Sequence, residues 1–184
     1  TAADPRDLKD WGIEFKYATF TRRLKTPLSY FFEEGPINSW AMRKADRVVV
    51  PAHFLIEKSK RMYKLKRDPV FLPYIENVAK GSVKKAKKPT VCYVARLDRR
   101  KRPLIYLELA KKFPEVTFLV AGVSEEPKRH QMLEDKAAES PNIKMLGIVN
   151  KFDGKIFKEV YDKAWININT AAREGLPLTF TEAA

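Results

Sequence analysis

Past residue 36, short apolar runs alternate with stretches in which apolar residues recur at helical spacing. Arg47-Val48-Val49-Val50 is a β-branched run and reads as a buried strand. Phe54 to Leu65 fits a helix, with Lys and Arg between Phe54, Leu55, Met62 and Leu65. Val70-Phe71-Leu72 reads as a second strand stopped by Pro73, after which Glu76 to Pro89 is lysine-rich and linker-like. A cleaner series follows. Thr90 to Val94 is a strand, and Pro103 to Phe113 is a helix with Pro103 suited to its first position. Ile105, Tyr106, Leu109, Ala110 and Phe113 are predicted to form one buried face of that helix. Val116 to Ala121 is a strand ended by Gly122, and Lys128 to Glu139 a helix with Met132, Leu133 and Ala137 on one side. Ile143 to Leu146 is a strand ended by Gly147. Ile156, Phe157, Val160, Tyr161 and Ala164 repeat the spacing of the first helix, Trp165 to Ile168 is a strand, and the chain looks helical from Leu176 onward.

Strands alternating with helices of this length predict βαβ units, hence an α/β fold with a Rossmann-like parallel sheet and helices on both faces. Residues 1–46 show no such alternation. Their aromatics, Tyr17, Phe20, Tyr30, Phe31, Phe32 and Trp40, predict packing against another surface. The chain opens at Thr1 without a methionine or a signal-peptide pattern and closes at Ala184 within a predicted helix, so it reads as part of a longer polypeptide.

Composition narrows the chemistry. Apolar residues make up 45% of the 184 residues and charged residues 32%, a foldable balance. The single cysteine, Cys92, excludes a disulfide framework and reads as a small core residue. His53 and His130 are the two histidines, without metal-ligand spacing, and His130 is expected to be exposed. No apolar run approaches the roughly 18 residues of a membrane span, and the composition fits a cytoplasmic protein. The net charge is +13, from 36 Lys+Arg against 23 Asp+Glu. Much of it sits in two stretches, Lys80 to Lys88 and Arg96 to Arg102, each with five cations. Such charge favours polyanions: nucleic acid, anionic lipid or phosphorylated small molecules. No zinc finger, basic zipper or RNP-type motif accompanies it, which disfavours nucleic acid.

Ligands of open α/β sheets lie beyond the carboxyl ends of the strands. After Thr90–Val94 the loop reads Ala95-Arg96-Leu97-Asp98-Arg99-Arg100-Lys101-Arg102, with neither a G-x-G-x-x-G nor a P-loop pattern. It offers cations instead: Arg96 can grip phosphate in a bidentate fork, and Lys101 can add a point charge. After the last strand, Asn169 to Leu178 leads into a helix through Glu182. Gly175 permits close backbone approach, and Pro177 suits a first turn whose free N–H groups attract anions. Glu174 lies just before that helix, and Glu182 lies roughly 9 Å along it at about 1.5 Å per residue. The bland alternatives are an exposed charged loop, a Glu174 that complements the helix dipole and a solvated Glu182.

With these residues in view, the chain from about Ala45 to Ala184 resembles the family-4 nucleotide-sugar glycosyltransferases of the B-type fold. Ala95 to Lys101 is similar to the family's G-R-L-x-x-x-K loop, and Glu174-Gly175-Leu176-Pro177-Leu178-Thr179-Phe180-Thr181-Glu182 to its E-x(7)-E motif. Ala45 to Pro51 resembles a strand near the end of the first domain. The resemblance implies that residues 1–78 end an acceptor-side domain, 79–89 are a basic linker and 90–184 are an incomplete donor-binding domain. It implies that Arg96 and Lys101 neutralise the donor diphosphate and that Glu174 is the carboxylate near the transferred sugar. Gly175, Leu176, Pro177 and Leu178 then supply backbone to sugar and phosphate, Glu182 binds the ribose hydroxyls, and Val149, in the turn Gly147 to Asn150, lies near the base. It implies retention of anomeric configuration, no cofactor and no metal, with a nucleotide-diphosphate-sugar as donor and an unidentified acceptor. Ala95 and Arg102 depart from the family, standing where glycine is usual. Other readings are a basic nucleic-acid-binding domain, a B-fold epimerase or phosphorylase, and peripheral contact with the inner face of the membrane through Tyr30-Phe31-Phe32 and the lysines.

Overall fold

The computed structural model describes residues 8–33, 35–74, 83–150, 157–172 and 174–183. The chain divides into two compact units: Thr1–Ile75 with Arg173–Leu176, and Glu76–Ala172 with Pro177–Ala184.

The first unit begins with three helices that the sequence pattern did not announce: α1 (Leu8–Tyr17), α2 (Phe20–Glu33) and α3 (Pro36–Lys44). Strand β1 (Val49–Val50), helix α4 (Phe54–Tyr63) and strand β2 (Val70–Phe71) follow, and the strands pair in parallel, Val49 opposite Val70. Along α2, Phe20, Leu24, Leu28, Phe31 and Phe32 form an apolar stripe, yet all are more than half exposed while Thr26 is buried. The Thr26 hydroxyl donates to the Arg22 carbonyl one turn back, at 2.7 Å, just before Pro27 inside the helix.

The second unit holds a four-stranded parallel sheet in the order β5-β4-β3-β6. Its strands are β3 (Thr90–Val94), β4 (Thr117–Ala121), β5 (Ile143–Gly147) and β6 (Ile166–Asn167). Helix α5 (Pro103–Lys112) links β3 to β4, and α6 (Pro127–Ala138) links β4 to β5. Alternation along the strands divides the core in two, because successive side chains point to opposite faces. Val91, Tyr93, Phe118 and Val120 pack with Tyr106, Leu107 and Ala110 of α5 and Leu133 and Ala137 of α6. Cys92, Leu119 and Ala121 pack on the other face against Val160, Tyr161 and Ala164, with Ala183 beside them. Burial pushes the Cys92 thiol up to about 12. The second face is covered by a widened helical turn over Phe157–Tyr161 and by the final helix α7 (Leu178–Ala183). Ile156, placed in a helix by the sequence pattern, lies outside the described residues.

Three expectations need correction. The buried residues of α5 are Pro103, Tyr106, Leu107 and Ala110, whereas Ile105 and Phe113 are exposed. The cause is the Tyr106 hydroxyl, which lies 3.1 Å from the carbonyl oxygens of both Val91 and Leu119. That anchor turns the helix so that i, i+3, i+4 and i+7 counted from Pro103 face the sheet, and burial raises the phenol's pKa far above its ordinary value. His130 is half-buried rather than exposed: its Nδ1 is buried without a hydrogen-bond partner and its Nε2 lies 3.5 Å from Glu134. Helix α7 starts at Leu178, so Leu176 precedes it and Glu182 lies about 6 Å along it rather than about 9 Å.

Candidate functional site

The strand order puts β3 and β6 side by side, although β4, β5 and their connections separate them in sequence. Chain direction across the sheet reverses there: β4 and β5 extend to one side of β3 and β6 lies on the other. In open α/β sheets, ligands bind beyond the carboxyl ends of two such strands. The loop 95–102 after β3 and residues 169–172, the start of the Asn169–Leu178 stretch after β6, leave the sheet at that point.

The first loop has no glycine and is held by its own side chains. Ala95 and Leu97 donate backbone N–H bonds to the carbonyls of Ala121 and Val123, at 3.1 and 2.9 Å, and the Leu97 side chain is fully buried. The Asp98 carboxylate accepts from the N–H groups of Arg100 and Lys101, at 3.0 and 3.1 Å, capping a short turn over Arg99–Lys101. The Tyr93 hydroxyl donates to the Lys101 carbonyl at 2.8 Å, and Arg129 Nε of α6 donates to the Leu97 carbonyl at 3.0 Å. Burial, reinforced by Arg99, lowers the pKa of Arg129 from its ordinary value. Gly122 leaves room beneath the loop, since a Cβ there would fall 1.9 Å from the Ala95 carbonyl oxygen at a φ of +139°.

Arg96 projects from this scaffold with its side chain mostly exposed, 3.1 Å from Glu125 and 3.5 Å from Asp98. Arg99 pairs with Glu126 at 3.3 Å. Exposed pairs of this kind are worth about 0–1 kcal/mol, so Glu125 and Asp98 hold Arg96 only weakly.

The second loop is tied to the first. Asn169 Oδ1 accepts from the Ala171 N–H at 2.8 Å, and the Ala172 N–H donates to the Arg100 carbonyl at 2.8 Å. The Thr170 hydroxyl lies 2.7 Å from the Lys101 carbonyl and 3.0 Å from that of Arg102. Arg102 Nε in turn donates to the Thr170 carbonyl at 2.6 Å.

The remaining predicted residues are placed as follows. Glu182, half-buried in α7, accepts from the Tyr161 hydroxyl at 2.8 Å, and Asn167 Nδ2 at the end of β6 donates to the Thr179 carbonyl at 2.7 Å. Pro177 and Leu178 belong to this unit, with Pro177 immediately before the first helical residue. Val149, just past Gly147, is half-buried and packs against the Cys92 cluster. Glu174, Gly175 and Leu176 are half-buried and group with the first unit. The second unit thus brings together Arg96, Lys101 and the loop after β6 at one end of its sheet. Sequence reasoning missed Thr170, Arg129, Tyr161 and the carboxylates Glu125 and Glu126. The last two were within reach, because the loop after β4 also leaves a carboxyl strand end.

This order of parallel strands, with helices on both faces and a basic loop at the reversal point, defines a Rossmann-like α/β architecture. The chain belongs to the glycosyl transferases group 1, whose family model matches residues 75–184, more than half its length. No curated protein sequence matches it. Among solved structures it is similar to a variant of TarM from S. aureus in complex with fondaparinux, alpha-GlcNAc-glycerol and UDP (TM-score 0.61, 18% identity, 79% of this chain and 30% of that one). Sucrose-phosphate synthase from Thermosynechococcus elongatus gives a TM-score of 0.63 at 18% identity, over 94% of this chain and 45% of that one. The pneumococcal O-GlcNAc transferase GtfA, in complex with UDP and GlcNAc, gives 0.56 at 20% identity, over 80% of this chain and 30% of that one. The chain therefore spans less than half the length of each of these structures.

Proposed function

We propose that this chain carries the donor-binding part of a family-4 glycosyltransferase that moves a sugar from a nucleotide-diphosphate-sugar to a glycan, lipid carrier or small-molecule acceptor. The observation that carries the reading is the cationic loop Arg96–Arg102, held rigid at the carboxyl ends of β3 and β6. Breaking the sugar–phosphate bond leaves a nucleoside diphosphate and a cation-like sugar carbon. Arg96 and Lys101 stabilise the leaving charge in a metal-independent manner, an effect of about 3–4 kcal/mol per preorganised donor. Glu174 holds a sugar hydroxyl and places negative charge near the sugar, while backbone from Gly175 to Leu178 meets sugar and phosphate. Glu182, oriented by Tyr161, takes the ribose hydroxyls, and the turn at Val149 meets the base. The reaction retains anomeric configuration, with residues 1–78 on the acceptor side, 79–89 as linker and 90–184 on the donor side.

Calorimetric titration of the chain with UDP, GDP and ADP tests this. Saturable binding of one nucleotide, lost in Arg96→Ala, is expected. Binding only to single-stranded RNA, fading steeply with salt, would replace the reading with nucleic-acid recognition. In the full-length enzyme Glu174→Ala should lower turnover far more than nucleotide affinity, and unchanged turnover removes Glu174 from the site.

A second reading, peripheral membrane contact, is favoured by α2. Its exposed stripe of Phe20, Leu24, Leu28, Phe31 and Phe32 is accompanied by Arg22, Arg23 and Lys25, the pattern of an interfacial helix. No described helix is long and apolar enough to cross a membrane. Cosedimentation with anionic vesicles, abolished by Leu24→Glu, is the expected result; no cosedimentation assigns the stripe to a protein surface.

A further inference from the structure

Arg102 adopts the left-handed region at φ 52, where a side chain carries a conformational cost and where the resembling loops have glycine. Its side chain bridges to the loop after β6: Nε donates to the Thr170 carbonyl at 2.6 Å and Nη2 reaches the Ala171 carbonyl at 3.5 Å. Thr170 answers with its hydroxyl, shared between the carbonyls of Lys101 and Arg102. The two residues thus clasp each other over 68 positions of sequence, and the Ala172 N–H bond to the Arg100 carbonyl closes the same junction. The Lys101 carbonyl is pinned from two sides, by the hydroxyls of Tyr93 and Thr170. With its guanidinium directed to backbone carbonyls, Arg102 differs from Arg96, which points outward from the same loop.

We propose that Arg102 is a positioning residue for diphosphate recognition: its clasp with Thr170 fixes the loop bearing Arg96 and Lys101 before ligand arrives. The inference rests on the donor reading above. Without the clasp the Thr170 hydroxyl and the Lys101 backbone move independently, and binding must supply the order that the fold now provides.

The test compares the parent chain with Arg102→Gly, Arg102→Lys and Thr170→Val, by UDP titration, thermal midpoint and amide exchange. Glycine relieves the backbone, so Arg102→Gly should keep or raise the midpoint while weakening UDP binding about tenfold. Arg102→Lys, which restores one donor to the Thr170 carbonyl, should recover part of that affinity. Exchange should quicken at the Lys101 and Ala172 amides without quickening in the β3 and β4 strands. The Arg102→Gly/Thr170→Val double variant should lose little more than either single one, because the two act as one device. Equal UDP affinity in parent and Arg102→Gly overturns the positioning role, as does a loss matched by a fallen midpoint. Absence of UDP, GDP and ADP binding by the parent sinks the donor reading and the positioning role together, GDP or ADP replacing UDP in the titrations where the parent binds that one, whereas unchanged local exchange in Arg102→Gly sinks the clasp itself.

Discussion

Strand β3 has a lysine-rich stretch before it and an arginine-rich stretch after it, each with five cations, and the fold treats them differently. In the described part of the first, Lys84, Lys87 and Lys88 are exposed. Lys85 Nζ donates to the Tyr161 carbonyl at 3.2 Å, and the Ala86 backbone pairs with Lys163 and Trp165. These bonds fasten the segment to the amino end of the sheet. In the second stretch, backbone groups at Leu97, Arg100, Lys101 and Arg102 are all bonded to side chains or to neighbouring loops, at the carboxyl end where the strand order reverses. Equal charge therefore sits in unequal surroundings. A cation recognises an anion well when its backbone is fixed and a crevice lies beside it.

The largest expected effect would break the comparison by destroying the platform under the second stretch. Gly122→Val sets a side chain against the Ala95 carbonyl, and a loss above about 4 kcal/mol in denaturant unfolding is expected; a loss below about 1 kcal/mol would mean the loop yields freely. Next comes Arg96→Ala, which in the full-length enzyme should lower turnover by about 10²–10³-fold. An unaltered rate would put Arg96 on a par with the lysines before β3. Asp98→Ala removes the cap from the Arg99–Lys101 turn and should cost about 1 kcal/mol in thermal unfolding, with weaker UDP binding alongside. The smallest effect belongs to Lys84→Ala combined with Lys87→Ala: stability should stay within about 0.5 kcal/mol and UDP affinity should not change. A fall in affinity like that of Arg96→Ala would reverse the comparison.

Much of the second unit was legible in the sequence because its central strands β3 and β4 are buried on both faces and read as continuous apolar runs. Strand β3 has the residues that the pattern assigns to it, and β4, β5, α5 and α6 differ at their ends by one residue. The first 46 residues were not legible in the same way. The stripe Phe20, Leu24, Leu28, Phe31 and Phe32 has helical spacing and could have announced α2, but mixed aromatics and Pro27 obscured it. The orientation of α5 was also out of reach, since the Tyr106 hydroxyl that sets it bonds to strands 13 and 15 residues away.

The loops after β3 and β6 could be read from local order alone, and so could the α/β class, because both depend on periodicities of a few residues. Tertiary structure decided that β6 lies beside β3, that the loops meet, and that Arg102 clasps Thr170 while Arg96 stays outward. The physical reason is distance along the chain. A hydrogen bond between residues 68 apart leaves no local pattern, and it forms only after burial of the sheet's two faces has brought those segments together.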